Sequence, residues 1–314
     1  MSVVLVVDSA CDLPAQLIEQ SNIKVLPINI KVNGELYKDK KSDSHLLDFY
    51  NKGLLTNDND ADSVPYTTEE IEQFILSDLV SHHDFVFVQT VASGNSPIFD
   101  NASKASQSIL KKYQTVRQQA GRTGMFGIRV IDTTSVFTGQ GLIALYTSEA
   151  LKAGAKRQDL RKLADDFKAT VSTYAVPKSV GYVRERARRK GVSGVSALGA
   201  MMGKALDINP IILLQNNANQ VAAKVRGRQN AIDQLLDYAT DQVVQGNLTF
   251  PYVNVSYAGE LDELRAMAAF QTLEEACKTA NVTLLSCVMN LTGGLNLGPE
   301  AVCLSLVTEG EPLA

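Results

Sequence analysis

The chain has 314 residues, 45% hydrophobic and 20% charged, a globular mix that at ~150 residues per domain predicts two domains with their own cores. Lys and Arg total 30 against 34 Asp and Glu, a net charge of −4, so the basic excess that a nucleic-acid reader uses against phosphates is missing. The four cysteines, Cys11, Cys277, Cys287 and Cys303, show no C-x-x-C spacing, which argues against a disulfide-stapled scaffold, a zinc site or any metal cofactor.

Val3 to Val7 is an unbroken apolar run that reads as a strand buried on both faces, and with Asp8 following it a strand is expected at the start of the chain in preference to a signal peptide. Asp12 is placed to cap a helix that has Pro14 in its first turn. Ile23 to Val32 predicts a strand, and Asn33-Gly34 a two-residue hairpin turn before Leu36-Tyr37. Leu46 to Tyr50 has helical spacing. The Asn- and Asp-rich residues 51–64 read as a loop, and Thr67-Thr68-Glu69-Glu70 as a capping box that opens a helix to about Val80.

Asp84 to Val91 predicts a second buried strand, followed by the loop Ala92 to Pro97 and a long helix to about Gln119. A strand at Ile128 to Ile131 and a helix at Thr138 to Lys152 complete an alternation that specifies a doubly wound parallel sheet. After Ala153-Gly154 the pattern changes. Helices near 157–171 and 178–190 precede a small-residue helix from Ser193 to Leu206. Pro210 to Leu214 and Val221 to Val225 form a hairpin around Asn216-Asn217. A helix near 229–244, a strand at Tyr252 to Tyr257, a helix to Ala280 and strands near 282–289 and 301–307 close the chain. The expected architecture is therefore α/β in two domains, residues 1–155 and 156–314, with a mixed sheet in the second and a ligand cleft between them. The charge-free stretch Val192 to Gly203 is shorter than the ~18 residues that span a bilayer, and a cytoplasmic location is expected.

Candidate chemistry is sparse. His45, His82 and His83 are the only histidines, and none has the spacing of a triad or a metal site. Gly139-Gln140-Gly141-Leu142-Ile143-Ala144 matches G-x-G-x-x-A. Asp132 to Thr138 separate it from the preceding strand, however, so close helix packing is preferred over a dinucleotide loop. The basic run Arg184, Arg186, Arg188, Arg189, Lys190 reads first as a solvated helix face and second as a docking patch for an acidic partner. The polar loops Asp8-Ser9, Ser93 to Ser96 and Asp132 to Ser135 follow strands, where open α/β sheets hold ligands. Asp62-Ser63 is expected just before a helix start. Together they suggest a polar head-group site without a nucleophile and base.

Read in order, these segments resemble the DegV family of bacterial fatty-acid-binding proteins. The residues are Val7-Asp8-Ser9-Ala10-Cys11-Asp12-Leu13-Pro14, Tyr37-Lys38-Asp39 with Asp48-Phe49-Tyr50, Asp62-Ser63-Val64-Pro65, and Thr90 to Ser96. Asp132-Thr133-Thr134-Ser135, Gly139-Gln140-Gly141, Val192-Ser193-Gly194, Asp207 to Ile211, Lys224 to Arg228, and Leu291-Thr292-Gly293-Gly294 with Gly298 follow. The resemblance spans nearly the whole chain. It implies a non-catalytic protein that encloses an acyl chain in a tunnel and presents the head group to a separate kinase, which brings ATP. It also places Ser93, Asp62, Ser63, Gly94, Ser96, Leu291 and Thr292 at the head group.

Several of these positions depart from the family pattern. Asp62 stands at the usual threonine, Leu291 at a histidine, Gly294 at a proline and Pro97 at a glycine, and only the second serine of a pair remains, as Ser93. A carboxylate at Asp62 facing a fatty-acid anion would repel it or raise one pKa, so weak fatty-acid binding at neutral pH, or a donor head group, is expected. Ala197 to Gly203 is expected to leave room for an apolar ligand. The alternatives are a kinase-like subunit acting on a small polyol or ketone, and a ligand-sensing regulator without a kinase partner.

Overall fold

The computed structural model describes residues 2–189 and 207–313. Strand β1 (Val3–Asp8) lies between β2 (Lys24–Leu26) and β6 (Phe85–Thr90), and β7 (Gly127–Asp132) completes an all-parallel sheet of order β2-β1-β6-β7. The side chains of β1 alternate between two cores, which is why its sequence is apolar throughout. Val4 and Val6 pack with Ile98 and Ile109 of α5 (Ile98–Gln119). Leu5 and Val7 pack with Leu142 and Ile143 of α6 (Phe137–Lys152). Helices thus cover both faces, as a doubly wound sheet requires.

The second sheet has the order β10-β9-β8-β13-β11-β12. Its strands are β8 (Val171–Val176), β9 (Ile208–Gln215), β10 (Ala218–Arg226), β11 (Tyr252–Tyr257), β12 (Thr283–Val288) and β13 (Val302–Val307). Only β11 and β12 run parallel. Helices α9 (Arg228–Val244) and α11 (Ala268–Thr279) pack with Tyr174, Val253 and Leu304 in one core. Helix α6 contacts both sheets, and its glycines permit this. A Cβ on Gly139 would stand 2.0 Å from Thr173 Oγ1, and one on Gly141 2.2 Å from the Asp12 carbonyl oxygen. The G-x-G sequence is a packing device.

A third, antiparallel sheet was not expected. It has the order β4-β3-β5, from β3 (Ile28–Val32), β4 (Glu35–Tyr37) and β5 (Ala61–Pro65), with α2 (Asp43–Asn51) against it. The strand expected over Ile23 to Val32 divides at Pro27, which has no N–H for a ladder, and the chain changes sheets there. Residues 61–64, expected as the end of a loop, belong instead to β5, which pairs with β3 from Ala61↔Val32 to Pro65↔Ile28. Asp62 and Ser63 therefore sit on a strand and not at a helix start. Strand β8, central in the mixed sheet, occupies the gap left between two predicted helices, and α12 (Leu291–Leu297) is a further unpredicted helix. Asp12 does not cap α1 (Ala15–Gln20); its carboxylate is buried and bonded elsewhere.

Other expectations hold in detail. Asn33 and Gly34, and Asn216 and Asn217, have positive φ at their hairpin turns. Thr67 and Glu70 bond reciprocally at the start of α3 (Thr68–Phe74). The helix expected from Ser193 to Leu206, and with it the small-residue stretch Ala197 to Gly203, lies wholly outside the described residues. Among the described residues no helix is long and apolar enough to cross a membrane.

Candidate functional site

A cavity of about 170 Å³ opens where the three sheets meet. The loop after β6 contributes Val91, Gly94, Asn95 and Ser96, and the loop after β7 contributes Val136 and, at the start of α6, Phe137. Ile28 comes from β3, Ser63 from β5, and Ile212 and Leu214 from β9. Two helices close it, α8 (Val180–Arg189) with Val183, Arg186 and Ala187, and α12 with Thr292, Asn296 and Leu297. These are loops at the carboxyl ends of parallel strands, where such sheets place their ligands. The wall is largely aliphatic with a minority of polar groups, the composition of a small-molecule site.

Arg186 is the cation of this wall and is only 5% exposed. It belongs to the basic run read as a solvated face, and that reading is corrected for it. Tyr182, Val183, Arg186 and Ala187 fall on one side of α8 by helical spacing and turn inward, while Arg188 stays exposed and pairs with Glu185 at 2.9 Å. Arg186 Nη1 donates to the Ala61 carbonyl, and Arg189 donates to the Asn57 and Asn59 carbonyls, so α8 straps the open edge of β5. Neither Nε nor Nη2 of Arg186 has a hydrogen-bond partner among the described residues, and the same holds for Thr292 Oγ1. A buried donor left unpaired costs ~1–3 kcal/mol, more when charged. Burial pushes the Arg186 pKa below its ordinary value, against the opposing pull of Tyr182 and Asp62. Guanidinium nonetheless stays charged at physiological pH.

Of the residues placed at the head group from sequence, Ser63, Gly94, Ser96 and Thr292 line the cavity. Ser96 Oγ accepts from Ile98 N at 3.3 Å, which leaves its O–H to donate inward. Asp62, Ser93 and Leu291 lie outside the lining. The Asp62 carboxylate is 70% exposed and accepts from its neighbour's N–H, Ser63 N, at 2.8 Å. Ser93 is exposed, with its N–H on Asp132 Oδ1 at 3.2 Å. Leu291 is fully buried among Ile30, Leu46 and Phe49. From sequence, Arg186 is read only within the basic run and Asn95 only within the polar loop Ser93 to Ser96, neither as a head-group residue, and Asn296 is not singled out; the apolar neighbours of Arg186 are the available signal.

The lining contains no histidine, cysteine or carboxylate among the described residues. His45 Nε2 contacts the Lys38 carbonyl at 2.6 Å, and His82 and His83 precede the amino end of β6, opposite the loop that lines the cavity. A histidine-held polyol therefore gains no support here. What the wall offers is one desolvated cation, hydroxyl and amide donors, and an aliphatic surface. That set complements an amphiphile with an oxyanion at one end.

A family model described as "Uncharacterised protein, DegV family" matches residues 2–309. A DegV domain-containing protein of Xanthomonas axonopodis pv. citri is 35% identical over 309 residues, covering 98% of each chain. The solved structure of DegV from Bacillus subtilis, described as a fatty acid binding protein, superposes with a TM-score of 0.75 at 20% identity, covering 98% of this chain and 100% of that one. A stearic acid-binding protein from Eubacterium ventriosum gives 0.76 at 18% identity, covering 97% and 98%. At such identity the two structures show a shared fold. The match over nearly the full length of the sequence, with motifs and fold in agreement, places this chain in the DegV family.

Proposed function

We propose that the protein binds a long-chain fatty acid, with the carboxylate on Arg186 and the chain along the aliphatic wall. The observation that carries this reading is the pair of buried, unpartnered donors, Arg186 Nε/Nη2 and Thr292 Oγ1, on one apolar cavity. A carboxylate accepts both and neutralises the buried cation, which a neutral lipid cannot do. The fatty-acid-binding descriptions of proteins with this fold support the choice of ligand class. Ser63, Ser96 and the backbone at Gly94 are the further head-group contacts, with Ser93 and Asp62 at the rim. In this reading Arg186 does the work that neither Asp62 nor Leu291 can do.

The protein itself performs no chemistry in this account. It hands the head group to a kinase partner in the cytoplasm, and its two domains divide near residue 155. Titration with palmitate, followed by the melting temperature, tests the binding step. Wild type should gain several degrees at saturation, and Arg186→Met should gain little while folding normally. Equal gains in both proteins would remove Arg186 from the site, and no gain in wild type would end the fatty-acid reading.

A further inference from the structure

Helix α12 brings Thr292, Asn296 and Leu297 to the cavity, yet it has only seven residues and cannot hold its own place. It is seated from across the chain. Asp12 is fully buried and its Oδ1 accepts from Asn290 N at 3.0 Å, Asn290 Nδ2 at 2.9 Å and Lys41 Nζ at 3.3 Å. Asn290 Nδ2 also donates to the Ala10 carbonyl at 3.0 Å, and Asn290 Oδ1 caps the helix by accepting from Gly293 N at 2.8 Å. Tyr50 Oη donates to the Met289 and Asn290 carbonyls at 3.0 and 3.1 Å. Gly294 makes that approach possible, since a Cβ there would lie 2.2 Å from Tyr50 Oη.

One buried carboxylate thus fixes the first turn of a helix whose cap lies 278 positions later and which carries an unpartnered hydroxyl into the ligand wall. Lys41 Nζ lies 3.3 Å from the same carboxylate and supplies its counter-charge in this buried setting. We propose that Asp12 is a positioning residue for ligand binding, acting through Asn290 to set where α12 presents Thr292. The inference rests on reading the cavity as the fatty-acid site. A seat that merely stabilised the fold would affect all ligands alike, whereas a seat that aims Thr292 affects the head group selectively.

The test compares palmitate with hexadecanol, which has the same chain without the anion, on wild type, Asn290→Ala and Asp12→Asn, together with amide hydrogen exchange over residues 290–297. Asn290→Ala should lose about tenfold in palmitate affinity and much less in hexadecanol affinity, with faster exchange in α12. Asp12→Asn leaves only a weaker, uncharged acceptor for Asn290 and should show the same palmitate-selective loss in smaller measure, about three- to fivefold. Equal losses for both ligands, or unchanged exchange in α12, overturn the positioning role. If wild type binds neither ligand, the fatty-acid reading fails, and the exchange measurement still decides whether Asn290 seats the helix. Should Asp12→Asn not fold, Asn290→Ala carries the test alone.

Discussion

Arg186 Nη2 stands 3.9 Å from Asp62 Oδ1, yet the arginine side chain is 6% exposed and the aspartate 70% exposed. The pair straddles the boundary between cavity and solvent. Asp62 lowers the positive potential at the head group without hydrogen-bonding Arg186, whose Nε and Nη2 have no hydrogen-bond partner among the described residues. Asp62→Thr should therefore strengthen palmitate binding, by about two- to fivefold at low ionic strength, and salt should erase the gain because one partner is solvated. Titration at pH 5 and pH 8 checks this, and an affinity equal to wild type at both values would leave Asp62 without a role.

Thr292→Val removes an unpartnered buried hydroxyl at nearly constant volume. The free protein should be unchanged or more stable by up to about 1 kcal/mol in urea denaturation, while palmitate affinity falls by about three- to tenfold. Both effects are expected together. A destabilised free protein would mean that the hydroxyl has a partner in the fold.

Gly141 sits where α6 touches the Asp12 carbonyl and the Asn254 side chain. Alanine is ordinarily the better helix former by roughly 0.5–1 kcal/mol. Here its Cβ would lie 2.2 Å from a backbone oxygen, so Gly141→Ala should destabilise by about 1–3 kcal/mol. A variant that melts at or above the wild-type temperature would show that α6 is free to shift between the sheets.

Burial raises the Asp39 carboxyl to about 7, with Lys41 opposing, and that of Asp8 to about 6. Unfolded, both titrate near 4. Between these values the folded chain binds more protons, so the stability these groups contribute is greatest at acidic pH. It declines as pH rises to about 7, at up to about 1.4 kcal/mol per unit for each proton. Asp39→Asn removes its share of the decline. The variant should gain on wild type from pH 5 to pH 8 in denaturant melts, and a constant or shrinking difference would contradict the assignment.

The alternation of strand and helix up to Lys152 was legible because each buried strand is a short apolar run between turn signals. The cavity loops at Gly94 and Ser96 followed from the ends of those strands. Strand β5 was not legible: Asp62, Ser63 and Pro65 look like loop residues, and only pairing with β3 makes them a strand. Strand β8, Val-Ser-Thr-Tyr-Ala-Val, falls in the short gap between the helices expected near 157–171 and 178–190, and its mix of small, polar and apolar residues carries no clear strand period. Arg186 was hidden in a basic run, where charge alone does not separate the buried arginine from the solvated ones. Asp12 resembled a helix cap locally, and its partner lies too far along the chain for any local pattern to reveal.

The central claim is that the cavity holds a fatty-acid anion on Arg186. Native mass spectrometry of freshly purified protein, with extraction of the bound material, tests it most directly. The expected result is one long-chain fatty acid per chain in wild type and a largely empty Arg186→Met variant. Wild type that carries no lipid, and does not take up palmitate when it is added, would contradict the account.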